Sequence, residues 1–75
     1  MKITVYSKPN CGGCDFTKNW LDENNLEYTA IDVTEDEQAL ADVKLHGFMS
    51  VPVVTVDGWD NAWADFRPDR LEELL

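Results

Sequence analysis

Basic side chains are scarce in this chain. Its 75 residues carry six Lys or Arg against fifteen Asp or Glu, a formal net charge of −9. A phosphate backbone rewards a basic stripe, so nucleic acid is not an expected partner. No apolar run of membrane length occurs, and no secretory h-region precedes the strand-like Lys2-Ile3-Thr4-Val5-Tyr6. Repeats and low-complexity tracts are absent as well. The expectation is one domain over residues 1–75, a monomer without a membrane partner. A chain this short buries only about 60% of the surface it exposes when unfolded, which sets a modest stability.

Histidine occurs once, as His46, and cysteine twice. Both cysteines fall in one stretch, Ser7-Lys8-Pro9-Asn10-Cys11-Gly12-Gly13-Cys14, between a strand-like run and a helix-like run. Two cysteines at this spacing in a βαβ setting point to thiol–disulfide exchange. A helix beginning at Cys11 turns its free N–H groups and the positive end of its dipole toward that sulfur. A thiolate there is stabilised and becomes a usable nucleophile near neutral pH. Cys14, one turn on, can reach back to close a disulfide. In the cytoplasm, the expected location, such a pair cycles rather than staying oxidised.

Two other readings compete for the pair. As a staple it closes a loop too short to give the ~3 kcal/mol expected of a 15-residue loop. As a structural zinc site it lacks ligands, because four are needed. A small copper carrier uses the same spacing, with a Met where this chain has Pro9. A metal-binding module stays open as an alternative, although no metal or organic cofactor is expected.

Charge is uneven along the chain. Residues 1–21 carry Lys2, Lys8 and Lys18 against Asp15, a balance of +2; residues 22–75 carry three basic and fourteen acidic groups, a balance of −11. Lys8 is therefore the expected tuner of the Cys11 thiolate. The acidic remainder reads as a solvated face.

The β-branched and aromatic residues 2–7 suit a strand buried on both faces. A helix is predicted from about Gly12 to Asn24, with Thr17 and Leu21 inward and Asn24-Asn25 as its stop. Two glycines in its first turn each cost about 1 kcal/mol relative to alanine, which implies a loose cysteine turn. Glu27–Val33 reads as a second strand. Thr34-Glu35-Asp36-Glu37 reads as a capping box with Thr34 at the N-cap. The second helix should turn Leu40, Val43 and Leu45 inward and end near His46, with Gly47 as C′. His46 is read as a cation at a helix C-terminus in preference to a catalytic base.

Val51-Pro52 leads into the valine-rich strand Val53–Val56, ended by Asp57-Gly58, with Trp59 to about Ala62 as the returning strand. A last helix opens near Phe66-Arg67-Pro68-Asp69, with Pro68 at N1 and Leu71, Leu74 and Leu75 as its stripe. The order is βαβαββα: a four-stranded mixed sheet flanked by three helices, its first strand central.

These residues resemble the thioredoxin fold and its glutaredoxin-like branch over nearly the whole chain. Tyr6-Ser7-Lys8-Pro9 before the first cysteine and Lys18 after the second carry that likeness. Val51-Pro52 is similar to the family's cis-proline step. If Pro52 is cis, the resemblance implies that Val51 offers its N–H and C=O to an extended substrate segment. Glutathione-using glutaredoxins carry a basic residue after that proline and a Gly-Gly pair after the hairpin. Here Val53 and Ala62-Trp63 stand there, removing a charge and filling the groove. Trp63-Ala64-Asp65-Phe66-Arg67-Pro68-Asp69 instead resembles the Trp-Ser-Gly-Phe-Arg-Pro-Asp signature of NrdH redoxins, agreeing at five of seven positions.

That likeness implies a dithiol oxidoreductase reduced by thioredoxin reductase, with class Ib ribonucleotide reductase as acceptor. Cys11 and Cys14 would be its redox-active pair. Trp63, Phe66 and Arg67 are then candidates for partner docking, with packing of the last helix as the plainer role for Trp63 and Phe66. Ala64 and Asp65 depart from the signature, and Asp65 falls near the acid that glutaredoxins use on glutathione, so a glutathione-dependent glutaredoxin remains the competing enzyme reading.

Overall fold

A computed structural model describes all residues, 1–75. The elements run β1 (Ile3–Ser7), α1 (Gly12–Glu23), β2 (Tyr28–Asp32), α2 (Glu37–Leu45), β3 (Val53–Val56), β4 (Trp63–Ala64) and α3 (Pro68–Glu72). They build one four-stranded sheet in the order β2-β1-β3-β4. β1 pairs parallel with β2 and antiparallel with β3, and β3 pairs antiparallel with β4. This is the predicted mixed sheet with β1 internal and every β1 residue buried. No helix is long and apolar enough to cross a membrane.

The period-2 alternation of the strands divides the core into two layers. Ile3, Val5, Val54 and Trp63 face α1 and α3, meeting Leu21 and Leu71. Tyr6 and Val53 face α2, meeting Val33, Ala39 and Val43. Burying each large apolar side chain contributes about 1.5–3 kcal/mol, so both layers are needed in a chain this small.

Helix ends fix where the loops leave. Asn25 is left-handed (φ 56°) after α1; its N–H donates to the Asp22 carbonyl, and that of Leu26 donates to Leu21. Gly47 (φ 88°) and Phe48 repeat the pattern on the carbonyls of Lys44 and Val43. Both are Schellman closures, which satisfy carbonyls the helix leaves free.

Four local expectations fail, each for a physical reason. The N-cap of α2 is Asp36, whose Oδ1 accepts the Ala39 N–H at 3.0 Å. Thr34 is unavailable because Asp32 Oδ1 takes both its N–H (2.8 Å) and its hydroxyl (2.6 Å) in a turn after β2. Leu45 is 79% exposed, while Ala39 and Val43 are the buried pair. Leu45 lies two residues past Val43 and therefore roughly 200° round the helix.

The returning strand is Trp63–Ala64, not Trp59–Ala62. Asp57 and Gly58 are both left-handed (φ 54° and 111°), and Asp57 binds back to Lys2 through its N–H and its carboxylate. Trp59 then swings under α2 to stack on His46 at 4.1 Å and lie 5.2 Å from Tyr6. Leu75, finally, is exposed rather than part of the α3 stripe.

Candidate redox site

Cys11 follows β1 through Asn10, whose left-handed backbone (φ 58°) turns the chain toward α1. Cys11 is the N-cap of α1, and its Sγ accepts the Cys14 N–H at 3.2 Å. The cap that Ser or Asp usually supplies with oxygen is supplied here by sulfur. Cys11 and Cys14 are joined as a disulfide. Cys11 is half-buried, whereas Cys14 is fully buried, so a partner reaches the first sulfur and not the second.

Across from the pair lies Val51-Pro52, a cis peptide bond. The Val51 carbonyl oxygen stands 3.8 Å from Cys11 Sγ. Neither the N–H nor the C=O of Val51 has a backbone partner. Pro52 is buried, and its own carbonyl accepts the Asp65 N–H at 2.9 Å.

The two spacer glycines belong to α1 from its first residue, and their roles differ. A Cβ on Gly13 would sit 3.2 Å from Pro52 Cδ and 3.9 Å from the Phe66 nitrogen. Gly12 has open space around it. Gly13 thus lets the cysteine turn lie against Pro52, a close approach between distant segments that its helix propensity alone does not reveal. Thr17, buried in α1, adds a hydroxyl bond to the Gly13 carbonyl at 2.8 Å.

The docking candidates separate. Trp63 is 5% exposed, its ring in the α1/α3 core with the Arg70 guanidinium 4.9 Å from its centroid. It packs the core and leaves little surface for a partner. Phe66 is half-buried and meets Phe16 at 5.7 Å, and Phe16 is 62% exposed. Exposed Phe16, four residues from α1's first residue, is the surface aromatic that sequence reading missed; a Phe on the outer face of an amphipathic helix was its signal. Arg67 is exposed and bonded to Asp69 through Nε (3.2 Å) and an Nη (2.9 Å). Those bonds hold the Asp69 carboxyl below its ordinary value.

Lys8 is exposed and lines a groove beside Val51. His46 is far from this chemistry in kind: its Nδ1 lies 2.8 Å from the Asp42 carbonyl at the end of α2, under the Trp59 stack. No group of three or more His, Cys, Asp or Glu side chains gathers anywhere to hold a metal ion.

A sulfur capping a helix, its twin buried one turn on, and an unpaired backbone segment opposite define a thiol–disulfide oxidoreductase of thioredoxin-like architecture. The glutaredoxin family model matches residues 3–59. The glutaredoxin-like protein NrdH of Lactococcus lactis subsp. cremoris is 39% identical over 96% of this chain and 97% of its own. The solved structure of Escherichia coli NrdH-redoxin superposes with a TM-score of 0.92 at 31% identity, covering 100% of this chain and 96% of that one. A thioredoxin-like protein, BC3987, superposes at 0.86 and 34% identity, over 97% and 99%. The chain belongs to the glutaredoxin family, among its NrdH-type glutaredoxin-like redoxins.

Proposed function

We propose that this redoxin carries electrons in the cytoplasm from thioredoxin reductase to a protein disulfide, that of class Ib ribonucleotide reductase being the expected acceptor. The observation that carries the reading is the contrast between the two sulfurs: Cys11 half-exposed and capping α1, Cys14 buried beneath it. In the reduced protein, the N–H groups of the first turn stabilise a Cys11 thiolate. It attacks one sulfur of the partner disulfide and expels the other as a thiolate, leaving a mixed disulfide. Cys14 then attacks Cys11 Sγ, releases the partner's second thiol and closes Cys11–Cys14. Two electrons pass to the partner, and the reductase returns two.

Lys8 adds positive charge on the approach to Cys11. Val51 pairs with an extended partner segment, and Pro52 holds that register against Gly13. The Phe16–Phe66 pair, with Arg67 next in line, forms the apolar landing surface. Similarity to E. coli NrdH-redoxin, a glutaredoxin-like protein described as having a thioredoxin-like activity profile, supports thioredoxin reductase as the electron source. Val53 is buried where glutathione-using relatives are expected to place a cation, which supports the same choice.

A coupled assay tests the reading. NADPH oxidation should proceed with thioredoxin reductase and an oxidised acceptor. Turnover only with glutathione and glutathione reductase would overturn it.

A further inference from the structure

β2 stands at one end of the sheet order, so only one of its two sides is paired. The Val33 N–H donates to the Ser7 carbonyl at 2.9 Å, and backbone direction alternates along a strand. Thr29 and Ile31 therefore turn their peptide groups toward β1, while Tyr28, Ala30 and Asp32 turn theirs outward. The Asp32 carbonyl is taken by the N–H groups of Glu35 and Asp36. The other outward groups, three N–H donors and the carbonyls of Tyr28 and Ala30, have no strand beside them.

Edge strands are usually guarded against pairing by lysine, proline, a bulge or a covering element. Tyr28–Asp32 contains no lysine or proline, and its register with β1 runs without a bulge. Thr29 and Ala30 are exposed, so nothing covers the middle of the strand. Tyr28, Thr29 and Ile31 favour extended backbone. The opposite edge, β4, is two residues long and offers no comparable template.

Charge selects the strand that fits. From Asn19 to Val43 the chain has eight acidic residues and no lysine or arginine, and β2 lies in the middle of that stretch. Glu27 and Asp32 bracket the edge. Lys2, on the strand behind, shares the groove at the start of β2 with Asp22 and Glu27, and it makes no ion pair with either. A second copy of this chain would set two such acidic stretches face to face, and like charges opposite each other destabilise paired strands. A basic strand meets opposite charge at both ends.

We propose that the free edge of β2 is a docking site for an extended segment of a partner protein, flanked by lysine or arginine, which adds as a fifth strand. The site is separate from the cysteine turn and involves no electron transfer.

Two peptides test it: Lys-Lys-Thr-Val-Thr-Val-Thr-Lys-Lys, and the same sequence with Glu at every Lys position. The readout is amide hydrogen exchange of the whole protein by NMR, because strand addition protects alternate residues. With the Lys peptide at about nine-tenths occupancy, exchange at Tyr28, Ala30 and Asp32 should slow about tenfold, while Thr29 and Ile31, already bonded to β1, should change little. The Glu peptide should bind about tenfold more weakly, the combined effect of a few partly screened ion pairs. That gap should close at about 1 M salt, where the Debye length is near 3 Å. Ala30→Pro deletes an outward N–H and should abolish binding. Ala30→Lys keeps the backbone intact and should weaken the Lys peptide about threefold, by repulsion.

Unprotected Tyr28, Ala30 and Asp32 amides in the presence of the Lys peptide, or equal binding of the two peptides at low salt, would overturn the proposal. So would protection of those amides by a second copy, seen as a dimer that forms as the protein is concentrated. Each of these results would leave the redox reading standing.

Discussion

The two flanks of Val51-Pro52 are built in opposite ways. On one side the chain closes on itself: Gly13 lies against Pro52, the Asp65 N–H is bonded to the Pro52 carbonyl, and Phe66 leans on Phe16. On the other side Val51 opens onto a groove whose rim is exposed methionine and unpaired lysine. The closed flank fixes the distance between the reactive sulfur and the substrate strand. The open flank is free to vary with the partner. Geometry and choice are thus assigned to different residues, and substitutions should tell them apart.

Gly13→Val strikes the closed flank hardest. The added side chain meets a proline ring that has little room to move, so overpacking should cost about 1–3 kcal/mol. In a domain this size that lowers Tm by about 4–8 °C per kcal/mol. Turnover with every disulfide, small or protein, should fall together. Gly13→Ala sets the same contact against the roughly 1 kcal/mol of helix propensity that alanine gains, so its Tm should move far less.

Asp65→Gly probes the same flank with the opposite sign. Asp65 is left-handed at φ 73°, a conformation that costs an L-residue and not glycine. Relief of that cost, less the greater freedom of glycine in the unfolded chain, should stabilise by about 0.5 kcal/mol in denaturant melts.

On the open flank, Lys44→Glu should leave stability within about 0.5 kcal/mol, as exposed substitutions do. Turnover with a small disulfide should stay close to that of the parent protein. A Tm shift as large as that of Gly13→Val would erase the distinction between the flanks.

The smallest effect is confined to alkaline pH. Tyr6 sits behind the open flank, and burial, then the Asp42 and Asp36 carboxylates, push its phenol above the usual 10.0. Below that value the phenol is protonated in both folded and unfolded chains and adds no pH dependence. Above it the unfolded chain ionises first, so stability falls until the folded phenol titrates too. Tyr6→Phe should flatten that part of the stability–pH curve and leave the neutral region nearly unchanged.

Local rules carried the sequence reading a long way. The cysteine spacing, the left-handed stops at Asn25 and Gly47 and the N1 position of Pro68 each depend on a few neighbouring residues, and each is present. What was illegible depends on distant partners. Asp32 captures the Thr34 donors and moves the α2 cap to Asp36. Lys2 ties down Asp57, and the aromatic cluster under α2 draws Trp59 out of the sheet. The glycines between the cysteines looked like looseness because the reason for Gly13 is Pro52, thirty-nine positions away. Trp63 looked available for docking because its burial is decided by α1 and α3 closing over it.

The central claim is that Cys11, and not Cys14, attacks the partner's disulfide and becomes attached to it. The reduced Cys14→Ser protein, mixed with a peptide whose single cysteine is a mixed disulfide with thionitrobenzoate, should stop as a covalent adduct that mass spectrometry maps to Cys11. Cys11→Ser, treated alike, should form adduct far more slowly. An adduct on Cys14 of Cys11→Ser at the speed seen for Cys11 would contradict the assignment of the exposed, helix-capping sulfur as the nucleophile.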